Sequence, residues 1–256
     1  MPNNKPIGFM DSGVGGISVL REAIKMLPNE NFIYLGDSAN APYGTKSDKE
    51  ILVLTIKAVE SLIQQNAKAI VIACNTATSV AINHLRLIYP TTPIIGIEPA
   101  VKPAASLHEH GKILVLATPA TLKRDKFINL VLEHTDTERV IAKPCPGLVE
   151  LIESGHLEDE YLEKYLQDNI SDYLNMDISV IVLGCTHYPF IKNKLSHFFG
   201  NNVDIIDGSN GTSKQLLNKL KEFDLVNSAT EKGTVVLTNS SENPYLQELS
   251  LKLLNL

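Results

Sequence analysis

Two cysteines stand at the ends of apolar segments and are followed at once by polar residues. Cys74 ends the run "AIVIAC" and precedes the letters NT, and Cys185 ends the run "VIVLGC" and precedes the letters TH. An ordinary thiol titrates near pH ~8.5, so it can both accept and donate a proton near neutral pH. Two thiols on opposite faces of one carbon would remove a proton from one side and return it on the other. Such a pair predicts inversion of a stereocentre.

The polar residues after each cysteine indicate a site for a carboxylate. A helix that begins just after a cysteine offers free N–H groups and a positive dipole end, which stabilise a thiolate and also receive a carboxylate. Proton abstraction beside a carboxylate places negative charge on it, so hydrogen-bond donors must surround it. We expect Asn75, Thr76 and Thr186 to supply such donors. We expect His187 to orient Cys185 or to support its proton transfer.

Three other interpretations of the cysteines stay open at this point. A cysteine at a strand end often packs only as a small apolar side chain. A zinc site needs several ligands at short spacing, and only His187 stands close to Cys185. A redox disulfide between Cys74 and Cys185 is the third alternative, although no C-x-x-C pattern is present. The remaining cysteine, Cys145 in "KPCPGLVE", lacks matched polar followers, and we interpret it as structural.

Two further loops place polar residues directly after predicted strands. "DSGVGG" carries Asp11 and Ser12 before glycines that allow a sharp turn into a helix. It matches only half of a dinucleotide fingerprint, and its aspartate would repel phosphate, so a small zwitterion fits better. Asp11 either caps the turn or acts beside a thiol or a substrate ammonium. In "GDSANAPYG", a turn fixed by proline brings Tyr43 and Gly44 to the same predicted cleft.

Other candidates lie in the second half of the chain. Thr118 in "LATPAT" stands where a strand meets a helix, so it either caps that helix or binds substrate. Glu150 and Glu153 lie three residues apart on one predicted helical face, and at least one of them should be an ordinary surface charge.

The segments that carry these residues alternate short β-branched runs with longer stretches of helical period. Because the runs are continuously apolar, they are typical of central strands in parallel sheets covered by helices on both faces. We predict an α/β fold with two doubly wound, mostly parallel-sheet domains that face each other across a catalytic cleft. Ligands of such sheets bind at the carboxyl ends of the strands, where both cysteines stand. The predicted strands are "IGFM", "NFIYLG", "AIVIAC", "PIIGI", "KILVLAT", "SVIVLGC" and "GTVVLT".

Composition excludes several classes of protein. The 256 residues are 44% apolar and 20% charged, which is typical of globular chains long enough for one or two domains. A net charge of −6 without a basic block disfavours nucleic acid as a partner. No apolar run approaches the ~20 residues of a membrane span, and no export signal is visible, so we expect a cytoplasmic chain without a membrane partner. Three widely spaced cysteines form no disulfide framework.

Taken together, "DSGVGG", "GDSANAPYG", "ACNTAT", "LATPAT", "LIESG" and "GCTHYP" resemble the motifs of the glutamate racemases over nearly the whole chain. The resemblance implies cofactor-independent, metal-free interconversion of L- and D-glutamate for peptidoglycan synthesis, by a homodimer. It implies Cys74 and Cys185 as the two acid/base residues, one for each enantiomer. It also implies a first domain from residues 1–97 with 208–256 and a second from residues 98–207. The further residues that it assigns to catalysis or substrate binding are Asp11, Ser12, Tyr43, Gly44, Asn75, Thr76, Thr118, Glu153, Thr186 and His187.

Neighbouring functions make different predictions. Aspartate racemases share the fold and two cysteines, but an acidic residue usually follows their "GCT", where this chain has His187. A binding protein that closes on an acidic amino acid would need neither thiol. A thiol-redox enzyme would form a disulfide between Cys74 and Cys185. The departures from the resemblance, Met10 and Glu150 among them, lie away from the matched motifs.

Overall fold

The computed structural model describes residues 3–200 and 202–256. The predicted domain ranges also include residues 1, 2 and 201, which lie outside the described part. The chain divides into two compact units, of which the first comprises Met1–Glu98 with Ser209–Leu256 and the second comprises Pro99–Gly208. Among the described helices, none has the length and apolar character required to cross a membrane.

The first unit is built on a five-stranded sheet in which every pair of neighbouring strands is parallel. The strand order is β4-β3-β1-β2-β9, and the central β1 and the adjacent β3 are buried along their whole length. Continuous apolar strands fit this position because helices cover both faces of the sheet. The strands of this unit are β1 (Ile7–Asp11), β2 (Phe32–Gly36), β3 (Ala69–Ile72), β4 (Ile94–Gly96) and β9 (Val235–Asn239).

The second unit has a four-stranded parallel sheet with the order β6-β5-β7-β8. Its core lies around the two central strands and contains Ile113, Val115, Val180 and Val182, each fully buried. The strands of this unit are β5 (Lys112–Ala117), β6 (Val140–Pro144), β7 (Ile178–Leu183) and β8 (Asp204–Asp207). The predicted α/β class with parallel sheets is therefore confirmed.

Helices connect the strands, and local signals in the sequence determine where several of them begin. The longest helix, α2, starts with a capping box in which Ser47 and Glu50 satisfy each other's backbone N–H groups. The helices of the first unit are α1 (Ile17–Met26), α2 (Asp48–Gln64), α3 (Asn75–Ile88), α10 (Ser209–Glu222) and α11 (Pro244–Leu254). Those of the second unit are α4 (Val101–Leu107), α5 (Pro119–Leu122), α6 (Asp125–His134), α7 (Leu148–Glu153), α8 (Glu160–Ile170) and α9 (Lys192–Phe199).

Two strands of the second sheet are absent from the sequence prediction. β6 and β8 are its edge strands, and their residues are largely half-buried or exposed. Edge strands carry charges and prolines that central strands avoid, and here β6 ends in Lys143 and Pro144 while β8 begins and ends with aspartate. The apolar pattern that identifies central strands is therefore too weak in these edge strands to predict them.

Each sheet contains one topological switch point, where the connections of two adjacent strands leave in opposite directions. In the first unit, β1 leads to β2 on one side and β3 leads to β4 on the other. In the second unit, β5 leads to β6 and β7 leads to β8 in the same manner. Ligands of open α/β sheets bind outside the carboxyl ends of the strands at such points.

Candidate active site

The residues predicted to act in catalysis or binding form two sets, one in each unit. The first set lies at or after the ends of β1, β2 and β3, and the second lies at or after the ends of β5, β7 and α7. Both cysteines therefore stand at the switch point of their own sheet. The first set is Asp11, Ser12, Tyr43, Gly44, Cys74, Asn75 and Thr76, and the second is Thr118, Glu153, Cys185, Thr186 and His187.

Cys74 occupies the N-terminal cap of the 14-residue helix α3. Its Sγ accepts a hydrogen bond from the backbone N–H of Ala77 at 3.4 Å and lies 3.5 Å from the hydroxyl of Ser12. The expectation of a helix directly after this cysteine is correct. Unsatisfied N–H groups and the helix dipole at this position stabilise negative charge on the sulfur.

Asp11 is the last residue of β1 and is fully buried. Its Oδ1 accepts the backbone N–H of Gly13 at 2.8 Å, which closes the turn into α1. A Cβ on Gly16 would lie 2.7 Å from the Cβ of Asp11 and 2.8 Å from that of Ala73, so only glycine allows this close approach. The turn therefore fixes the aspartate and Ser12 beside the end of β3.

Tyr43 is buried beneath the loop that follows β2. Its hydroxyl donates a 2.6 Å hydrogen bond to Oδ2 of Asp37, and the side chain of Asn40 donates to both oxygens of the same carboxylate. Burial, the hydrogen bond to Asp37 and the nearby Cys74 and Asp11 all raise the pKa of Tyr43, which stays protonated. Gly44 follows on the exposed side of the turn.

Asn75 and Thr76 form the first turn of α3 and are both buried. Oδ1 of Asn75 has no hydrogen-bond partner among the described residues. A buried acceptor without a partner costs about 1–3 kcal/mol, so a ligand that donates to it gains that much in affinity. The position suits an ammonium group.

Cys185 belongs to a chain of three polar side chains. Its Sγ lies 3.7 Å from Nδ1 of His187, and Nε2 of His187 lies 2.8 Å from Oε1 of Glu153. Burial alone would lower the pKa of His187, but hydrogen bonds and charge interactions with Cys185 and Glu153 raise it well above its ordinary value. The raised pKa favours the imidazolium, which lies between the carboxylate of Glu153 and the sulfur of Cys185.

The expectation of a helix directly after Cys185 is wrong. A turn and a short 3-10 helix, Tyr188–Ile191, follow the cysteine, and α9 begins only at Lys192. Pro189 in the first turn explains the delay, because its ring and missing N–H prevent the segment from continuing an α-helix from Cys185. His187 takes the place of the helix terminus as the positive group beside this sulfur.

Thr118 caps α5, and its hydroxyl accepts the N–H of Thr121 at 3.3 Å and lies 3.0 Å from the hydroxyl of that residue. It follows β5, the strand that pairs with β7 ahead of Cys185. Thr186 is buried beside the cysteine. Of the two glutamates on α7, Glu150 is exposed and Glu153 is half-buried against His187.

Cys145 differs from the other two cysteines. Burial raises the pKa of its thiol to about 12, with Cys185 contributing in the same direction. Its sulfur donates weakly to the carbonyl of Lys143, and its own carbonyl accepts the hydroxyl of Tyr188 at 3.3 Å. This thiol stays protonated and is buried among its neighbours, which suits a structural role.

Two residues that our sequence analysis missed, Asn239 and Ser240, hydrogen-bond the loop after β2. These residues follow the apolar run "TVVL" in the same manner as the polar residues after the other strands. That shared pattern is the signal that would have identified them.

Comparison with known proteins identifies the family. Residues 7–212 match the family model described as Asp/Glu/hydantoin racemase. The chain belongs to the Asp/Glu/hydantoin racemase family. Within this family, it is 55% identical to a glutamate racemase of Clostridium novyi over 98% of this chain and 97% of the relative. It is 52% identical to one of Clostridium perfringens, over 99% and 97% respectively.

A solved structure in the family has the same fold. The glutamate racemase of Francisella tularensis, determined in complex with D-glutamate, superposes with a TM-score of 0.85 at 31% identity. The match covers 99% of this chain and 95% of that one. The resemblance to glutamate racemases that the motifs predict is therefore confirmed.

Proposed function

We propose that this chain is a cofactor-independent glutamate racemase, in which Cys74 and Cys185 move the α-proton. One thiolate removes the proton from one face of the α-carbon, and the other cysteine, as the thiol, returns a proton to the opposite face. The roles exchange for the other enantiomer. The observation that carries this proposal is the cysteine at the switch point of each sheet, with a separate group stabilising negative charge beside each sulfur.

The two cysteines are supported by different means. The N-terminus of α3 and the hydroxyl of Ser12 stabilise negative charge on Cys74. Neither of these two groups has to gain or lose a proton in order to do so. Cys185 instead depends on the protonated His187, which Glu153 holds in place. Catalysis through Cys185 should therefore depend on the pH at which His187 loses its proton, whereas the support of Cys74 should not.

The intermediate is a carbanion whose charge spreads onto the α-carboxylate, and donors must surround that group. We assign Thr76 and Thr186, with the backbone near Ser12, Tyr43 and Gly44, to the two carboxylates of glutamate. The buried Oδ1 of Asn75 suits the α-ammonium. In this proposal, Asp11 and Thr118 are the remaining residues of the site, and they lie beside a reacting thiol and the substrate.

Several finer features belong to the same proposal. The two units act as the two domains of the enzyme, close to the predicted ranges 1–97 with 208–256 and 98–207. The active form is a homodimer in the cytoplasm, and its D-glutamate product supplies peptidoglycan synthesis. The reaction uses no cofactor or metal ion, because the thiols perform both proton transfers.

The test follows L-glutamate in D₂O without added pyridoxal phosphate. Loss of the α-proton is measured by NMR, and D-glutamate is measured by circular dichroism. We expect exchange with inversion in the natural protein and a loss of about 10²–10⁴-fold in Cys74→Ala and in Cys185→Ala. Cys145→Ala serves as the control and should keep its activity.

Each other result favours one alternative. Exchange with aspartate but not with glutamate would reassign the substrate. No exchange with either amino acid, despite tight binding, would replace the racemase with a binding protein. A disulfide between Cys74 and Cys185 under mild oxidant, detected by mass spectrometry without reduction, would favour a redox enzyme.

A further inference from the structure

We propose that Asn239, at the carboxyl end of β9, is a positioning residue that holds the substrate-binding loop after β2. This loop, here called the Ser38–Tyr43 loop, leads from the end of β2 to the proposed substrate contacts Tyr43 and Gly44. The inference rests on the proposed function, because it concerns how that site is kept in its binding conformation.

The contacts of Asn239 connect the last strand of the chain to the loop. Its side-chain Nδ2 donates a 2.9 Å hydrogen bond to the hydroxyl of Ser38, and its Oδ1 accepts the N–H of Ser241 at 2.8 Å. The second contact is an Asx turn, which fixes the orientation of the amide. The hydroxyl of the next residue, Ser240, accepts the N–H of Ala39 at 3.0 Å.

Close approach of the backbone makes this geometry possible. Asn239 lies opposite Gly36 in the β2–β9 register. A Cβ on Gly36 would lie 3.1 Å from Nδ2 of Asn239 and 2.5 Å from the carbonyl oxygen of Gly13. Glycine at this position therefore leaves room for the amide on one side and for the turn after β1 on the other.

The loop is thus held at two points. On the side of β1, the N–H of Asp37 donates to the carbonyl of Asp11 at 2.9 Å, and the carboxylate of Asp37 binds Tyr43 and Asn40. On the side of β9, Asn239 and the following Ser240 hydrogen-bond the loop's short 3-10 helix, Ser38–Asn40. Loss of the second point leaves a flexible segment ahead of Tyr43.

A loop that is only partly in its binding conformation weakens substrate binding by the fraction that is correctly placed. Because the thiols and their supporting groups lie on other elements, the chemical step is unchanged once substrate is bound. A rise in KM with constant kcat is the kinetic signature of lost uniform binding. Asn239 therefore contributes to affinity rather than to proton transfer.

Asn31 provides a matched control. It precedes β2, and its Oδ1 accepts both the N–H and the hydroxyl of Thr234, which precedes β9, at 2.8 and 2.9 Å. Its Nδ2 donates to the carbonyl of Asn4. Asn31 therefore connects the same two strands at their amino ends, away from the site, with at least as many hydrogen bonds as Asn239.

The experiment compares Asn239→Ala and Asn31→Ala by steady-state kinetics in both directions. It also measures hydrogen–deuterium exchange of residues 37–45. For Asn239→Ala we expect KM to rise about 5- to 10-fold for both enantiomers, with kcat changed by less than about 2-fold, and faster exchange in the loop. For Asn31→Ala we expect wild-type KM and wild-type exchange in the loop, at a similar loss of thermal stability. Ser38→Ala should reproduce the rise in KM. In the double variant Ser38→Ala/Asn239→Ala, the free-energy effect on KM should be smaller than the sum of the effects of the two single variants.

Several results would overturn the inference. Unchanged KM and loop exchange in Asn239→Ala would mean that the loop is held without it. An equal rise of KM in Asn31→Ala would mean that the rise in Asn239→Ala reflects general destabilisation of the protein. Lower kcat at constant KM would contradict a role in positioning for binding. If the natural protein does not turn over glutamate, the proposed function fails, while loop exchange still decides whether Asn239 holds the loop.

Discussion

At the scale of single residues, Glu153 is one of the two groups, after Cys185, that raise the pKa of His187. The pKa of His187 lies well above its ordinary value of ~6.5, so the imidazolium persists through neutral pH and is lost as the pH rises through the raised pKa. Glu153→Gln removes one of the interactions that raise this pKa. We expect the alkaline limb of the kcat/KM profile to move to lower pH. We also expect kcat/KM to fall about 10- to 100-fold, because the glutamine oxygen can still accept from His187 but no longer carries the negative charge that strengthens this hydrogen bond.

The control for this prediction is Glu150→Gln, an exposed glutamate on the same helix, which should leave the profile unchanged. L- and D-glutamate have equal free energies in water, so kcat/KM must fall by the same factor in both directions. A profile that keeps its alkaline limb in Glu153→Gln would show that His187 does not support the reaction through its charge.

At the scale of elements, a buried ion pair joins four segments of the first unit. Nζ of Lys68 lies 2.6 Å from Oε2 of Glu30, and both side chains are almost completely buried. Glu30 also accepts the N–H of Asn227, and Lys68 donates to the carbonyl of Asn3. The pair thus connects the residues before β1, the loop before β2, the start of β3 and the segment before β9.

Lys68→Met should lower the free energy of unfolding by about 3–5 kcal/mol, because it leaves a buried carboxylate without its partner. The double variant Glu30→Gln/Lys68→Met should recover part of this loss, since its glutamine still accepts from Asn227. Urea unfolding provides the measurement. Lys25→Met removes an exposed pair with Glu22 and should change stability by less than about 1 kcal/mol. Equal losses in the two lysine variants would contradict the role of burial.

The elements also show what sequence can and cannot predict. The central strands and the residues after them follow from continuous apolar runs, because full burial restricts these positions to apolar residues. The pattern after Cys185 looks the same as that after Cys74, yet one cysteine caps a helix and the other precedes a turn. Pairings such as Glu153 with His187 join segments far apart in the chain, and no local pattern specifies them. The motifs suggest such pairs only through their resemblance to a family.

At the scale of the whole molecule, the first unit is discontinuous and the second is one uninterrupted segment. β9, α10 and α11 come from the end of the chain, where β9 pairs with β2 and both helices contact α1. These helices bury the side chains of Leu216, Leu220, Leu249 and Leu253. Burial of four leucines contributes about 6–12 kcal/mol, which is as large as the stability of a typical domain at about 5–15 kcal/mol. The first unit should therefore require the end of the chain in order to fold.

A chain that ends at Gly208 tests this dependence by hydrogen–deuterium exchange resolved by segment. We expect the amides of β1, β2 and β3 to lose their protection, because the sheet loses an edge strand and the helices that cover it. The amides of β5 and β7 should keep theirs, since all four strands of the second sheet remain. A chain that lacks only Asn255 and Leu256 keeps every helix complete and should match the full chain. Loss of protection in both units of the shorter chain would mean that the second unit does not fold alone, and retained protection in β1 would mean that the first unit folds without its C-terminal elements.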